Sequence, residues 1–245
     1  TYAYISDLSS MRIVDISNPA APTEIGFSPA GARNVAIRGN HAFVAADYNG
    51  LRVLNISNPA APAEVGFRDT PGRAFGVTVS GDYVYVADGS AGLRVINIAS
   101  PTNPTEVGSY DTPNSAMDVG VIGTYAYVAD DAGGLRVVDV TDPAVPTEIG
   151  FYDPWWCASA ITIAENRAYV ADECGNSLRV LDISNPTAIT EVGYYSTPHQ
   201  AFGVAFADNN VYVADNAAGF FVLRYLATSG ITGRVTDGFG NPISD

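Results

Sequence analysis

A repeat of about 42 residues constrains this chain more than any other feature of its sequence. The stretch YVADDAGGLRVVDVTDP at residues 127–143 has close copies at 85–101, 169–186 and 212–226. A further copy around Leu51 and a shorter one around Met11 bring the related units to six. A period of this length is typical of solenoids, propellers and other arrays of repeated units. One repeat position, with steps of 42, 42, 43 and 42, is occupied by Leu51, Leu93, Leu135, Leu178 and Phe220.

Each unit contains four short apolar runs separated by turn residues, which is the pattern of β-strands. In the third copy the runs are residues 75–81, 83–88, 93–98 and 105–110. Their connections are rich in Gly, Pro, Asp and Ser, which favour tight turns. Four antiparallel strands in about 42 residues match one propeller blade. The sequence therefore predicts an all-β fold, a β-propeller of four-stranded antiparallel blades with six blades visible, over residues 1–226.

The charge of the chain restricts its partners. The net charge is −14, and all twelve basic residues are Arg. An acidic field of this size argues against nucleic acid and against anionic membrane surfaces. Because no apolar run approaches the length of about 18 residues that a spanning helix needs, no membrane insertion is predicted.

The motifs LRVVDVTDP, LRVLDISNP and LRVLNISNP, each following YVAD or FVAAD, resemble the LVIVD repeat of bacterial and archaeal surface or secreted propellers. The resemblance covers roughly residues 1–226. It implies a β-propeller that is extracellular or at the cell surface, and it brings no catalytic residues.

The C-terminal stretch ITGRVTDGFGNPISD, residues 231–245, departs from the repeat. It resembles the opening strand and turn of a carboxypeptidase-regulatory-like β-sandwich. Alternatively, it supplies the outer strand of the sixth blade. We expect residues 227–245 to form that strand, a linker into a following β-sandwich domain, or both.

An Arg follows the repeated Leu, and a Glu lies twelve positions after each of these Arg residues. In an antiparallel hairpin these positions lie opposite or diagonal to each other, so the two charges can pair across the strands. The predicted structural pairs are Arg12 with Glu24, Arg52 with Glu64, Arg94 with Glu106, Arg136 with Glu148, and Arg179 with Glu191.

A repeated Asp ends the YVAD motif, at Asp88, Asp130, Asp172 and Asp215. Such a carboxylate can accept hydrogen bonds from the backbone of the turn that follows. A ring of carboxylates could instead bind a cation such as Ca²⁺. The DDAGG segment lacks the acidic spacing of a calcium loop. The turn-forming role is therefore favoured, with no cofactor and no metal site predicted and Ca²⁺ as the alternative.

Loops that differ between copies are the best place to look for a binding site. In a propeller of this strand order, the connections between blades and between second and third strands emerge on one face. Aromatic rings with guanidinium, amide and imidazole groups would suit a sugar, a peptide or a carboxylate. The alternative is structural, with the two tryptophans capping the core. The candidate ligand-binding residues are Arg33, Arg73, Trp155, Trp156, His199 and Gln200.

The two cysteines, Cys157 and Cys174, both lie in unusual loops of the fifth unit. If both loops leave the same face of one blade, a disulfide follows. A disulfide would indicate an oxidising compartment.

Two classes of function remain open. The favoured one is a non-catalytic extracellular or cell-surface scaffold that binds other surface or secreted proteins or glycans, or that self-assembles. The alternative is a hydrolase or lyase that acts on a glycan at the mouth of the propeller channel. Neither His41 nor His199 has a nucleophile or a metal-binding partner by spacing, so no catalytic residue is predicted.

Overall fold

The computed structural model describes residues 1–153, 157–223, 225–226 and 230–231. The described residues form six antiparallel sheets and one short strand pair, with neighbouring strands consecutive in the chain. The strands are β1 (Tyr2–Ser6), β2 (Met11–Asp15) and β3 (Thr23–Ser28); β4 (Asn34–Arg38), β5 (His41–Ala45), β6 (Leu51–Asn55) and β7 (Ala63–Arg68); β8 (Gly76–Ser80), β9 (Tyr83–Ala87), β10 (Leu93–Asn97) and β11 (Thr105–Tyr110); β12 (Asp118–Ile122), β13 (Tyr125–Ala129), β14 (Leu135–Asp139) and β15 (Thr147–Tyr152); β16 (Ala158–Ala164), β17 (Arg167–Asp172), β18 (Ser177–Asp182) and β19 (Thr190–Ser196); β20 (Ala201–Ala207), β21 (Asn210–Asp215) and β22 (Gly219–Leu223); and β23 (Tyr225–Leu226) with β24 (Gly230–Ile231).

The six sheets are the blades of a six-bladed β-propeller, which confirms the predicted fold class. Within the described residues, four blades have four strands, and the first and the sixth have three. In the third blade the strands fall within one residue of the runs read from the sequence. The predicted outer strand and linker at residues 227–245 lie outside the described residues, except for the two residues of β24, which pair with β23.

The chain divides into two compact units, each with its own hydrophobic clusters. One unit comprises Thr1–Val119 with Val140–Pro146, and the other comprises Gly120–Asp139 with Thr147–Asp245. The two middle strands of the complete blades carry most of the core. In β9, for example, Val84 and Val86 are fully buried, and the intervening Tyr85 is also buried. Alternate side chains of a strand point to opposite faces of its sheet. Such strands are therefore apolar at nearly every position because both faces are covered.

The last strand of each of the first five blades contains a glycine in the motif E-x-G, which allows close packing against the next repeat. In β11 this is Gly108, next to a register shift that makes a β-bulge opposite Val95 and Ile96. A Cβ on Gly108 would lie 2.2 Å from the backbone oxygen of Pro143. Gly66 has the same relation to Pro101, at 2.3 Å. The glycine therefore lets a turn of the following repeat pack directly on the strand.

Candidate functional site

The Asp that ends the YVAD motif is a buried hydrogen-bond centre. Asp172 is 0% exposed. Its carboxylate accepts from the N–H of Gly175 at 2.8 Å, from the hydroxyl of Ser177 at 3.0 Å and from Arg179 at 3.1 Å. It also accepts from the N–H of Cys157 at 3.3 Å, in the loop that precedes the blade. The predicted turn-forming role is therefore only part of what this Asp does, because it also fixes the loop between blades.

Other copies repeat this arrangement with differences. Asp88 accepts from the N–H of Gly72 at 2.8 Å, and burial raises its pKa. Asp215 accepts from the N–H of His199 at 3.0 Å. The second repeat has Ala46 at this position. Within the described residues, no group of three or more His, Cys, Asp or Glu side chains could hold a metal ion.

Each predicted Arg–Glu pair has its charged atoms within 4 Å. The bulge in the fourth strand sets Glu148 opposite Val138 and not opposite Arg136, so the two charges approach diagonally. Sequence reasoning missed two further acidic partners. Arg94 lies 3.8 Å from Asp88 and 2.9 Å from Asp111. The N···O distances of the predicted pairs are 2.9 Å for Arg12 and Glu24, 3.9 Å for Arg52 and Glu64, 3.8 Å for Arg94 and Glu106, 4.0 Å for Arg136 and Glu148, and 3.5 Å for Arg179 and Glu191.

Exposed aromatic rings on the outer strands contact the arginines of these ion pairs. The guanidinium carbon of Arg52 lies 4.7 Å from the ring centroid of Phe67. Arg136 lies 5.0 Å from Phe151. Cation–π contacts of this kind explain large aromatic side chains on the exposed edge of a sheet. The available sequence signal was an aromatic residue fifteen positions after the repeated Arg. In the third repeat, Ser109 occupies this aromatic position.

Divergent loops of the first compact unit, Thr1–Val119 with Val140–Pro146, bring together Arg33, Asp47 and Arg73. Asp47 precedes β6 and has a φ of 53°. Its backbone pairs in an antiparallel bridge with Ala74, in the loop between β7 and β8. This bridge sets the two loops side by side. Arg33 Nε then donates to Asp47 Oδ2 at 2.7 Å, while Arg73 Nε donates to Oδ1 at 2.7 Å and Arg73 Nη2 to Oδ2 at 3.0 Å.

The two arginines determine the protonation of Asp47. The hydrogen bonds from Arg73 have the largest effect on the pKa of Asp47, and burial opposes them. With the hydrogen bond from Arg33 and the positive charges of both arginines, the pKa is lowered to about 2. Hydrogen bonding to Asp47 in turn raises the pKa of Arg73. At neutral pH the three side chains therefore form a fixed group of two cations and one anion.

Aromatic rings complete this group, which we call the Arg–Asp–Arg cluster. Both guanidinium groups lie over the ring of Phe75, at 4.7 Å for Arg33 and 5.0 Å for Arg73. Arg73 also lies 4.7 Å from the ring centroid of Tyr48, a residue that is 74% exposed. The cluster thus combines stacked guanidinium groups with an aromatic ring that is open to solvent.

In the second compact unit, Gly120–Asp139 with Thr147–Asp245, the loops bring together a different set of side chains. Gln200 Nε2 lies 3.4 Å from Glu173 Oε1, and Asn216 Nδ2 lies 3.3 Å from Gln200 Oε1. Burial raises the pKa of Glu173, and the negative charge of Asp131 adds to the effect. His199 is exposed and interacts through its backbone, where its carbonyl accepts from Thr197 Oγ1 at 2.7 Å. This set is acidic and amide-rich, unlike the first.

The remaining predicted binding residues, Trp155 and Trp156, lie outside the described residues. Next to them, Cys157 and Cys174 form the predicted disulfide, which is confirmed, with 5.2 Å between their Cα atoms. The N–H of Glu173 donates to the carbonyl of Cys157 at 3.0 Å. The disulfide and this hydrogen bond both connect the loop before β16 to the loop before β18.

A cleft of about 370 Å³ lies at the turns that precede β5 and β9. Its lining includes Arg38, His41 and Asp82. Arg38 Nη2 donates to Asp82 Oδ1 at 2.9 Å. Because this pair has one cation and one anion, whereas the Arg–Asp–Arg cluster has two cations and one anion, the cleft is a weaker candidate than the cluster for binding a charged ligand.

Comparison with known families identifies the repeat. The model of the LVIVD repeat matches residues 1–27, 30–70, 71–112, 113–154 and 157–197. The chain belongs to the LVIVD repeat family.

Solved structures share the fold of this LVIVD-repeat protein at low sequence identity. A protein from Lactobacillus plantarum is 15% identical with a TM-score of 0.80, over 93% of this chain and 77% of that chain. A functionally unknown protein from Desulfotomaculum acetoxidans is 15% identical with a TM-score of 0.73, over 95% and 77%. The periplasmic gluconolactonase PpgL of Pseudomonas aeruginosa is 16% identical with a TM-score of 0.74, over 96% and 84%. No curated protein sequence matches the chain.

Sequence reasoning selected Arg33 and Arg73 but missed Asp47, Tyr48 and Phe75. A signal was available, because Asp47 directly follows the position of the repeated YVAD Asp, where the repeat varies freely. The corresponding residues of the LVIVD-repeat protein in the later copies are Gly89, Asp131, Glu173 and Asn216.

No helix of the described part of the chain is long and apolar enough to span a membrane.

Proposed function

We propose that this LVIVD-repeat protein is a non-catalytic scaffold, extracellular or at the cell surface, that binds other surface or secreted proteins or glycans through its divergent loops. The observation that carries this proposal is the Arg–Asp–Arg cluster. The repeated positions build the blades through buried hydrogen bonds and ion pairs. The cluster, in contrast, belongs to loop positions that the architecture leaves free to vary.

The cluster has the properties of a binding site and lacks those of a catalytic one. Asp47 holds both arginines in place before any ligand arrives, which lowers the entropic cost of binding. Its lowered pKa keeps it ionised, so it is a poor proton donor or acceptor near neutral pH. The raised pKa of Arg73 makes it an equally poor base, so the cluster is suited to recognise an anionic ligand.

The extracellular location is supported by the disulfide between Cys157 and Cys174. Disulfides persist in oxidising environments and are rare in the reducing cytosol. Self-assembly through sheet edges is less favoured than binding of other molecules. Outer strands such as β7 and β15 end in charged and cation-stacked side chains, a feature that discourages edge-to-edge pairing.

The test is binding of the purified protein to arrays of extracellular glycans and of peptides from secreted proteins. Arg73→Ala is the variant, and Arg38→Ala is its matched control. Both arginines lie in the same unit, each is paired with an Asp, and their side chains are 37% and 45% exposed. We expect the wild type to bind members of an array, Arg73→Ala to lose at least about 10-fold in affinity, and Arg38→Ala to retain it. Absence of wild-type binding on both arrays, or equal losses in both variants, would overturn the proposal.

A second candidate function, hydrolysis or elimination on a glycan or a lactone, is supported by Glu173. Burial, and then the negative charge of Asp131, raises the pKa of this side chain, and carboxyls with a raised pKa serve as general acids. The structural likeness to a gluconolactonase leaves this candidate open. Chromatography of lactones and oligosaccharides after incubation would test it. Turnover that is abolished in Glu173→Gln but unchanged in Asp208→Asn, an exposed control, would favour the enzyme over the scaffold.

A further inference from the structure

The Arg–Asp–Arg cluster occurs once among the repeats, which separates it from the architecture of the blade. The backbone frame around it recurs, because bridges equivalent to Asp47–Ala74 join Gly89 to Ala116 and Asp131 to Ala158. The side chains on that frame differ. The position of Arg73 is occupied in other copies by Gly31, Ser115, Cys157 and Gln200, and the position of Arg33 by Phe75, Met117, Ser159 and Phe202.

The cluster has positive charge and unused hydrogen-bond donors. Two guanidinium groups and one ionised carboxylate leave a net charge of about +1, on a chain whose total is −14. Arg33 uses only its Nε–H on Asp47, and none of the described residues accepts from its Nη atoms or from Nη1 of Arg73. The side chains of Arg33 and Arg73 are 27% and 37% exposed. These donors are therefore within reach of a ligand.

The donors match a planar monoanion. A guanidinium group presents pairs of parallel N–H bonds that fit the two oxygens of a carboxylate. A net charge of about +1 balances one carboxylate, whereas a phosphate monoester would bring a second negative charge into a strongly acidic protein. The geometry and the charge therefore both favour a carboxylate.

Next to these donors, Tyr48 provides an apolar ring with a polar hydroxyl. It is 74% exposed, and Arg73 covers one of its faces. An exposed aromatic ring beside a cation can pack against the apolar face of a saturated ring while its hydroxyl bonds to polar substituents. Such a platform suits a pyranose ring better than the end of a flexible peptide.

We infer that the Arg–Asp–Arg cluster binds the carboxylate of an acidic sugar, with Arg33 and Arg73 on the carboxylate and Tyr48 against the sugar ring. This inference rests on the proposed scaffold function and names the ligand class of that site. Asp47 is a positioning residue, because it holds the guanidinium groups and does not contact the ligand.

The experiment is calorimetric titration of the whole protein with the methyl glycoside of galacturonic acid, which has one carboxylate, and with its methyl ester, which removes the charge and keeps the ring. We expect the acid to bind and the ester to bind at least about 10-fold more weakly, as for loss of a charge-assisted hydrogen-bond pair. Arg33→Ala and Arg73→Ala should each show the same loss for the acid, whereas Arg38→Ala should bind like the wild type. Tyr48→Ala should weaken acid and ester alike.

A second arm separates the source of the carboxylate. A peptide with a free C-terminus is compared with its amidated form. Binding of the free peptide without binding of the acidic sugar would overturn the sugar assignment and leave the scaffold proposal in place. Equal binding of acid and ester would also overturn it. If no ligand on the glycan and peptide arrays binds, the scaffold proposal itself fails. Circular dichroism and a thermal melt of each variant show that lost binding is not lost folding.

Discussion

Replacing Asp172 with Ala tests whether the buried carboxylate of the YVAD motif holds the blade and its preceding loop together. The substitution removes the acceptor of four hydrogen bonds, from Cys157, Gly175, Ser177 and Arg179. Cys157 and Gly175 lie in partly exposed loops, so water can replace their lost partner. Ser177 is only 1% exposed, and Arg179 keeps Glu191 at 3.5 Å but loses its buried partner.

The expected cost follows from these partners. Leaving a buried donor unsatisfied costs about 1–3 kcal/mol, and breaking a buried ion pair costs about 3–5 kcal/mol. Because Arg179 is partly exposed and keeps a second partner, we expect Asp172→Ala to lower the free energy of unfolding by about 3–4 kcal/mol. For a chain of this size, that loss lowers the melting temperature by roughly 10 °C. Asp172→Asn, which keeps one acceptor oxygen, should lose less.

Guanidinium denaturation followed by circular dichroism measures this free energy. Glu165→Gln is the control, because it removes one negative charge from an exposed turn of the same blade. Surface changes of this kind alter stability by about 0.5 kcal/mol or less. A loss below about 1 kcal/mol in Asp172→Ala, with an unchanged denaturant slope, would refute the reasoning. In that case the carboxylate would be an ordinary turn acceptor.

Three further predictions follow from other parts of the structure. Replacing Cys157 and Cys174 together with Ala should cost about 3 kcal/mol through the entropy of a loop closed over 17 positions, and a variant as stable to denaturant as the oxidised wild type would contradict this. The lowered pKa of Asp47 means that its ionised form stabilises the fold above about pH 4 and that this contribution is lost as the pH falls towards about 2. The stability difference between wild type and Asp47→Asn should therefore shrink from about 1–2 kcal/mol at pH 6 to near zero at pH 2, and a constant difference in denaturant titrations would oppose it. Gly108→Ala should cost about 2–3 kcal/mol because its Cβ meets a backbone oxygen at 2.2 Å, whereas Gly203→Ala, whose Cβ has its nearest neighbour at 3.5 Å, should change the melting temperature little.

The Arg–Glu pairs show which contacts residue spacing alone can predict. A separation of twelve positions across one tight connection brings Arg94 and Glu106 to adjacent strands, so their proximity could be read from the sequence. The bulge at Val95 and Ile96 could not, because it depends on how Gly108 packs against another repeat. The spacing also gives no indication of the buried partner Asp88 and the additional partner Asp111.

In the divergent loops, too, the sequence predicted one feature, the disulfide, and gave no sign of another. The unusual positions of Cys157 and Cys174 within one repeat were enough to predict their pairing, because both loops belong to the same blade. The spacing gave no indication that Glu173, between Asp172 and Cys174, is buried enough for its pKa to rise. Burial depends on residues far away in the chain, and a one-dimensional pattern does not contain them.

The sequence by itself determined that this chain is a β-propeller built from LVIVD repeats, because strand alternation, turn residues and a period near 42 residues are local properties repeated along the chain. Only the tertiary structure decided which of the divergent loop residues meet. Asp47 lies 14 positions from Arg33 and 26 from Arg73, and no local rule pairs them. A backbone bridge between Asp47 and Ala74 brings their loops together. The physical reason is that strand formation depends on neighbours in sequence, whereas a binding site depends on neighbours in space.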